Sequence, residues 1–293
     1  MMTRGRYINK LVIIQPPSPR MRGKLSFIFI LLAAIAGGIY IVQQSVPETR
    51  DRTAAHVTRP IPALFMAIMC VSTCASMRIK PKSKSINHVE YERRAFCQVD
   101  VWSVLFGVAF LALGLGDVLQ LVHGYGVAAG IVACEWAGQL LMAVAMCLPR
   151  EVTERRPQIS QKVTIIYALA GALLWLLTFF VSCGASKTSA ALAATHALLT
   201  AAVAWRSTDV MVATRKGVGS VLVFVGAHLA VASAVITSSQ TLCDAFGGGN
   251  DLEAYYPLAM GTYYAAVILE ARGVTKYAIK SDYVASESED FKA

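Results

Sequence analysis

The chain has 293 residues, of which 56% are hydrophobic and only 15% are charged. A typical soluble domain carries roughly 25% charged residues, so the composition argues against a soluble protein. The net charge of +9 raises the question of a nucleic-acid partner. However, the basic residues border apolar runs, and no base-stacking or zinc motif accompanies them. We therefore expect no nucleic-acid partner, and anionic membrane lipids are the natural partners of such basic loops.

Eight apolar runs follow one another along the chain, each near the roughly 20 residues that cross a hydrocarbon core as a helix. They are Leu25–Val42, Ile61–Met77, Val101–Val122, Gly126–Leu148, Val163–Ser182, Thr188–Trp205, Gly217–Thr237 and Ala254–Leu269. The pattern predicts an all-α membrane bundle of about eight transmembrane helices, forming a single domain over residues 25–272. Residues 1–24 are predicted to be a basic, disordered tail, and residues 273–293 a second tail.

The distribution of lysine and arginine predicts the orientation of this bundle. Of the 27 Lys and Arg residues, 23 lie in alternate segments, namely residues 1–24 and 270–293 and the links 78–97, 149–162 and 206–216. Short segments rich in Lys and Arg stay in the cytoplasm, so both termini are predicted to be cytoplasmic. A signal peptide is the alternative for the first run. That run is longer than a usual signal core, and no clear small-residue cleavage site follows Tyr40.

The cysteines predict little chemistry. Cys183 and Cys243 each follow an apolar run on the predicted non-cytoplasmic side, where an oxidising lumen would allow a disulfide. Two unrelated free thiols are the alternative. The other cysteines show no metal-ligand spacing with a histidine, so neither a metal site nor a cofactor is predicted.

Ionisable side chains inside apolar runs are the candidate functional residues, because each costs about 3 kcal/mol to insert and usually faces the bundle interior or a wet cavity. They are Asp117, Glu135, His196 and His228. All four can meet in one cavity near the non-cytoplasmic face or the middle of the membrane. Asp117 follows Gly114-Leu115-Gly116, whose bare backbone lets a ligand approach. Glu270 ends the last run and is expected to reach the interface or to pair with Arg272.

Several interpretations of these residues stay open. An acid–base pair of Asp117 with Glu135 or His228 suits hydrolysis in a pocket that lipid can reach. Hydrogen bonding between helices is the structural alternative, and His196, on an alanine-rich helix, is interpreted as a packed histidine. A proton relay or transporter is a further alternative, but no pair of Gly- or Pro-broken helices in matching halves supports it.

Four short stretches stand in an order that resembles one membrane-protein family. They are Arg59-Pro60-Ile61-Pro62-Ala63-Leu64, Gly116-Asp117-Val118-Leu119, Ala204-Trp205-Arg206 and Tyr263-Tyr264-Ala265-Ala266. From Phe27 to Arg272 the chain resembles the lysoplasmalogenases of YhhN type, which are eight-span membrane proteins. The aspartate of the family's Gly-Asp motif is taken as an active-site residue, and the resemblance places Asp117 in that role.

The chain departs from the family pattern at two places. The seventh span of the family carries a second aspartate four residues after a Phe, whereas here His228 stands four residues after Phe224. The histidine of the family's fourth span falls on Gly138, and the tyrosine three residues later falls on Leu141. Either His228 replaces the second acid, Glu135 does, or the chain has lost the activity.

The resemblance implies hydrolysis of the vinyl ether bond of a lysoplasmalogen, which releases a fatty aldehyde and a glycerophospho-head group in the endoplasmic reticulum or a related endomembrane. A neutral carboxylic acid is a suitable proton donor for this bond, and a second base directs the water. We therefore predict Asp117, His228 and Glu135 as catalytic residues, with His228 as the first partner of Asp117. The alternative is a non-catalytic lipid-binding or scaffold member of the same fold.

Overall fold

Eight α-helices make up the part of the chain that the computed structural model describes, which is residues 19–45, 57–77, 86–119, 127–148, 161–182, 187–214, 217–245 and 255–290. The helices are α1 (Pro19–Ser45), α2 (Ile61–Met77), α3 (Ile86–Leu119), α4 (Val127–Ala145), α5 (Gln161–Ser182), α6 (Lys187–Ala213), α7 (Val218–Ala245) and α8 (Tyr255–Asp290). No strand occurs within these ranges. The all-α prediction is confirmed, and each apolar run supplies most of one helix except in α8, which continues well beyond its run.

Five helices extend well beyond the predicted runs: α6 continues from Trp205 to Ala213 and α7 from Thr237 to Ala245, and α1, α3 and α8 are also longer. α1 begins at Pro19, so the last residues of the predicted disordered tail are helical, because proline is tolerated in a helix's first turn. α3 begins at Ile86, inside the predicted link of residues 78–97. α8 continues to Asp290, so most of the predicted tail of residues 273–293 is helical as well. The added stretches of α3 and α8 contain no Pro, so nothing in them interrupts a helix. They were not predicted because they are polar and show no apolar periodicity.

The apolar character of the helices agrees with a membrane bundle. Four segments are long and apolar enough to cross a membrane by length and composition, namely Lys24–Ser45, Val101–Leu119, Val163–Phe180 and Val218–Thr237. Two shorter apolar helical segments lie at Ile61–Ser72 and Gly130–Ala145. Large apolar side chains also face outward, with Phe180 70% and Leu169 66% exposed, as expected for a surface that lipid covers. The protein is a helical membrane bundle, and crossing by α2, α4, α6 and α8 stays a prediction.

Five of the helices form a closed ring. α3 packs on α4, α4 on α6, α6 on α7, α7 on α8, and α8 returns to α3. α1 and α2 pack on each other and on α8, and α2 also packs on α3. α5 packs on α6 and α7 from outside the ring. Leu119, the last residue of α3, lies beside Gly130, near the start of α4. We call that end of the bundle the outer half and the opposite end the inner half.

Aromatic side chains on α3 fill the inner half. Trp102, Phe106 and Phe110 are spaced four residues apart and are all fully buried, since residues at this spacing lie on one face of a helix. Their rings contact each other in sequence, with centroids 5.6 Å and 6.1 Å apart. Asp117 lies seven residues beyond Phe110 and so on the same face. The apolar core therefore ends where the polar residues of the outer half begin.

The boundary between α7 and α8 is unusually close. A Cβ atom added to Gly273 would lie 2.6 Å from the carbonyl oxygen of Gly219, and one added to Gly226 would lie 2.7 Å from Cγ of Glu270. Small residues allow such an approach between membrane helices. Glu270 is only 3% exposed in this boundary. The expectation that its side chain reaches the interface is wrong.

Candidate functional site

Arg59 holds the aspartate that the sequence singled out. Its Nε donates a hydrogen bond to Oδ1 of Asp117 over 2.7 Å, across 58 positions of the chain. Arg59 immediately precedes α2, where the N–H of Leu64 donates to the carbonyl of Pro60 over 3.1 Å. A proline at a helix start loses no hydrogen bond, so α2 begins here and the Arg59 side chain crosses to the end of α3. A charge-assisted bond of this kind favours the ionised carboxylate.

α8 helps to place the Arg59 backbone. The hydroxyl of Tyr264 donates to the carbonyl oxygen of Arg59 over 3.3 Å. Tyr264 itself is buried, and its ring meets that of Tyr40 edge-on with centroids 6.0 Å apart. A Cβ atom on Gly37 would lie 2.9 Å from the Tyr264 ring, so α1 and α8 enclose this tyrosine. The guanidinium position thus depends on packing between α1, α2 and α8.

The second oxygen of Asp117 lies free beside another acid. Oδ2 is buried and has no hydrogen-bond partner among the described residues, and the side chain as a whole is 7% exposed. The neighbouring residue Gly116 faces α4, since a Cβ atom added there would lie 3.5 Å from Cγ of Glu135. Tyr263 of α8 neighbours Tyr264, with ring centroids 5.4 Å apart, and Tyr264 bonds to the Arg59 backbone. The outer half therefore holds two acids and one tyrosine around an unused carboxylate oxygen.

Glu135 also faces a histidine on α6. Its Oε2 lies 3.8 Å from Nδ1 of His196. This separation is longer than a hydrogen bond, and Nδ1 of His196 makes none among the described residues. The two side chains are 30% and 29% exposed respectively. We call the set Arg59, Asp117, Glu135, His196 and Tyr263 the outer cluster.

His228 belongs to a different set of contacts in the inner half. Its Nε2 lies 2.5 Å from the hydroxyl of Tyr167, and its Nδ1 lies 2.7 Å from the carbonyl oxygen of Phe224. The Tyr167 hydroxyl also lies 2.8 Å from Oγ1 of Thr208. Both ring nitrogens of His228 are thus engaged by α5 and by its own helix. We call Tyr167, Thr208 and His228 the inner cluster.

The structure brings Asp117 to Glu135, the reserve partner, and not to His228. The reason is the order of the helices, because α3 packs on α2, α4 and α8, whereas α7 packs on α5, α6 and α8. Spacing along α7 places His228 opposite Tyr167 of α5. No pattern in the sequence indicated that a tyrosine on α5 would bond to this histidine.

Charged residues at the inner end of α6 form a local pair. Nη1 of Arg206 contacts Oδ2 of Asp209, one helical turn later. The guanidinium also lies 5.4 Å from the ring centre of Trp205. Burial raises the pKa of the Asp209 carboxyl above its usual value, and the positive charge of Arg206 opposes this increase. The pair links adjacent turns near the end of α6. Within the described residues, neither side chain contacts the outer cluster.

Sequence reasoning found two members of the outer cluster as catalytic candidates and missed Arg59 and Tyr263. Both missed residues lie in the stretches that carry the family resemblance, which was the available signal. The predicted disulfide stays a prediction, since Cys183 lies outside the described residues and the side chain of Cys243 is not described. Within the described part of the chain, no group of three or more His, Cys, Asp or Glu side chains is placed to hold a metal ion.

Comparisons with protein-family models, with curated proteins and with solved structures give no match. The geometry of the outer cluster is therefore the basis for any functional conclusion.

Proposed function

We propose that the protein is a membrane-embedded hydrolase that cleaves the vinyl ether bond of a lysoplasmalogen. The products are a fatty aldehyde and a glycerophospho-head group, and the membrane is that of the endoplasmic reticulum or a related organelle. One observation carries the proposal: Asp117 keeps a buried carboxylate oxygen without a hydrogen-bond partner, next to a second acid, Glu135. Intramembrane acids of this kind mark functional sites. The sequence resemblance to lysoplasmalogenases names the substrate class.

The Arg59 contact separates the roles of the two acids. A carboxylate that accepts a charge-assisted hydrogen bond is stabilised in its ionised form. Asp117 is therefore assigned as the base, with Oδ2 accepting a hydrogen bond from the attacking water. Glu135, which has no arginine contact recorded in the described residues, is assigned as the proton donor. This assignment differs from the sequence-based expectation, in which Asp117 itself donated the proton.

The reaction then balances as follows. Glu135 gives its proton to the alkene carbon two bonds from the ether oxygen, and the double bond becomes an oxocarbenium ion. Water adds to the carbon bonded to oxygen and gives a proton to Asp117, leaving a hemiacetal. The hemiacetal breaks its bond to the glycerol oxygen, which takes the hydroxyl proton as the aldehyde leaves. Asp117 returns its proton to Glu135, directly or through water, before the next turnover.

A cavity open to water is not required for this substrate to reach the site. A single-chain lipid reaches an intramembrane cluster from the side, between helices. Glu135 and His196 keep about three-tenths of their side-chain surface accessible, which provides contact for a substrate group. Tyr263 neighbours Tyr264, which bonds to the backbone of Arg59, the partner of Asp117, so its hydroxyl is a candidate donor to the ether oxygen.

Purified protein in lipid nanodiscs tests the proposal by aldehyde release from a 1-alkenyl lysophospholipid. The 1-alkyl and 1-acyl lysophospholipids of equal chain length are the matched substrates, and neither should release aldehyde. Asp117→Asn and Glu135→Gln should each lower kcat by about 100-fold or more, the typical contribution of one acid or base. Glu270→Gln is the matched control, because it replaces a buried carboxyl away from the outer cluster and should keep kcat within about threefold.

A non-catalytic lipid-binding role is the second candidate. It is favoured by the Arg59 contact, which gives Asp117 a purely structural use, and by the engagement of His228 in the inner cluster. In that case the protein would bind lysoplasmalogen without turnover. Saturable thermal stabilisation by the lipid, with no aldehyde released by wild-type protein, would support this candidate and reject the hydrolase.

A further inference from the structure

His196 is the member of the outer cluster that has no role in the proposed reaction, and its sequence context predicted only a packed histidine. Its helix is rich in alanine on the same stretch, with Ala194, Ala197 and Ala201 buried. His196 is nevertheless only partly buried, at 29% side-chain exposure, and it faces α4 at the position of Glu135. A packed structural histidine usually has its ring nitrogens satisfied by hydrogen bonds. Here Nδ1 has no such partner among the described residues.

The nearest charged group to that nitrogen is the Glu135 carboxyl, at 3.8 Å from Nδ1 to Oε2. A change of less than 1 Å brings the pair to hydrogen-bonding distance, which is about 3 Å for an N–H donor to an oxygen acceptor. Catalytic hydrogen bonds are often long in unliganded enzymes and shorten when substrate binds. The spacing is therefore suited to a contact that forms during the reaction.

We propose that His196 is the positioning residue of Glu135. In the tautomer with hydrogen on Nδ1, the imidazole donates to Oε2 of Glu135 and fixes the carboxyl group in one orientation. The other oxygen, Oε1, then carries the acid proton and faces the vinyl ether. The inference rests on the proposed function for its chemistry, but the 3.8 Å approach of the two side chains is present in the structure without substrate.

The other groups around His196 are compatible with this role. α5 and α7 also pack on α6, and their inward polar groups, Tyr167 and His228, are bonded to each other in the inner cluster. On α6 itself, Thr200 donates to the backbone carbonyl of His196 over 3.0 Å and leaves the ring untouched. Among the described residues, Glu135 is thus the only ionic partner of the His196 ring.

Substitutions at position 196 separate a positioning role from a structural one. His196→Ala should lower kcat for the 1-alkenyl lysophospholipid at least tenfold, with KM changed less than twofold. His196→Asn places an amide N–H where Nδ1 stood and should restore kcat to within about threefold of wild type. Thr195→Val is the matched control on the adjacent position, because Thr195 bonds to its own helix at Ala191. Equal losses of kcat in the Ala and Asn variants would overturn the proposal.

A second measurement keeps the inference separate from the proposed function. The thermal midpoints of Glu135→Gln, His196→Ala and the double variant form a double-mutant cycle that needs no activity. Coupled side chains should give a double variant whose Tm shift is smaller than the sum of the single shifts. Additive shifts would overturn the inference even if wild-type protein releases aldehyde. Coupled shifts without aldehyde release would reject the hydrolase and retain the contact.

Discussion

Arg59 and Asp117 form an ion pair between the start of one helix and the end of another, with Nε and Oδ1 2.7 Å apart. The pair lies partly inside the bundle, since Asp117 is 7% and Arg59 22% exposed. It therefore does two things at once. It joins α2 to α3, and it supplies the positive charge that allows a carboxylate to stay ionised away from water.

Removal of the Arg59 charge should destabilise the bundle. Arg59→Leu leaves a buried carboxylate without its counter-charge, which costs about 3 kcal/mol, the lower end for buried pairs because Arg59 keeps some exposure. The double variant Arg59→Leu with Asp117→Asn should recover most of that loss, since no unpaired charge remains. Thermal unfolding in detergent measures both effects. A double variant no more stable than Arg59→Leu alone would show that the pair does not act through charge.

Substitution of Gly273 should separate α7 from α8. An alanine Cβ there would meet the Gly219 carbonyl oxygen at 2.6 Å and the Val223 nitrogen at 2.7 Å, and backbone atoms cannot move aside as a side chain can. We expect Gly273→Ala to cost about 1–3 kcal/mol. Gly38→Ala on α1 is the matched control, because nothing lies within 4 Å of its added Cβ. That control should leave stability unchanged or raise it by up to about 1 kcal/mol. Equal unfolding midpoints for the two variants would contradict a tight α7–α8 boundary.

Loss of the Tyr167 hydroxyl should weaken the inner cluster without affecting chemistry in the outer cluster. Tyr167→Phe removes the partner of both His228 and Thr208. An unsatisfied buried polar group costs about 1–3 kcal/mol. The unfolding midpoint should therefore fall, while kcat for aldehyde release stays within about threefold. A loss of activity as large as that of Asp117→Asn would place the catalytic centre in the inner half instead.

Both chain ends should lie in the cytoplasm. Lys and Arg concentrate in the tails and in alternate links, and such segments are retained on the cytoplasmic side. Glycosylation acceptor sites or fluorescent reporters added before Met1 and after Ala293 measure this directly. Neither end should be glycosylated, whereas an acceptor site inserted between Gly248 and Gly249 should be. A glycosylated C-terminal tag would contradict the orientation.

The helices were predictable because hydrophobicity reports insertion into lipid directly. The run Ile61–Met77 coincides with α2, and the other runs each match the apolar part of a helix. The extensions at Pro19, at Ile86 and up to Asp290 were missed. They are polar, and a polar helix differs from a polar loop only in local backbone preference, which is a weak signal.

The polar clusters were only partly predictable. Intramembrane acids are costly, so Asp117 and Glu135 were recognised from position alone, and the short connection between α3 and α4 placed them together. Arg59 was named only as the first residue of a stretch that carries the family resemblance, since nothing local indicates that its side chain folds back onto α3. His228 was assigned to the wrong neighbour because spacing along one helix does not say which other helix it faces.

The close contact of α7 with α8 has a consequence for how lipid reaches the outer cluster. At Gly226 and Gly273 there is no space for even one methyl group between the two backbones. One helix therefore cannot slide past the other unless the two backbones first move apart. These helices behave as one fixed wall of the ring. Entry of the proposed lipid substrate between α7 and α8 is therefore excluded by their backbones, and a path to the outer cluster would have to pass another helix boundary.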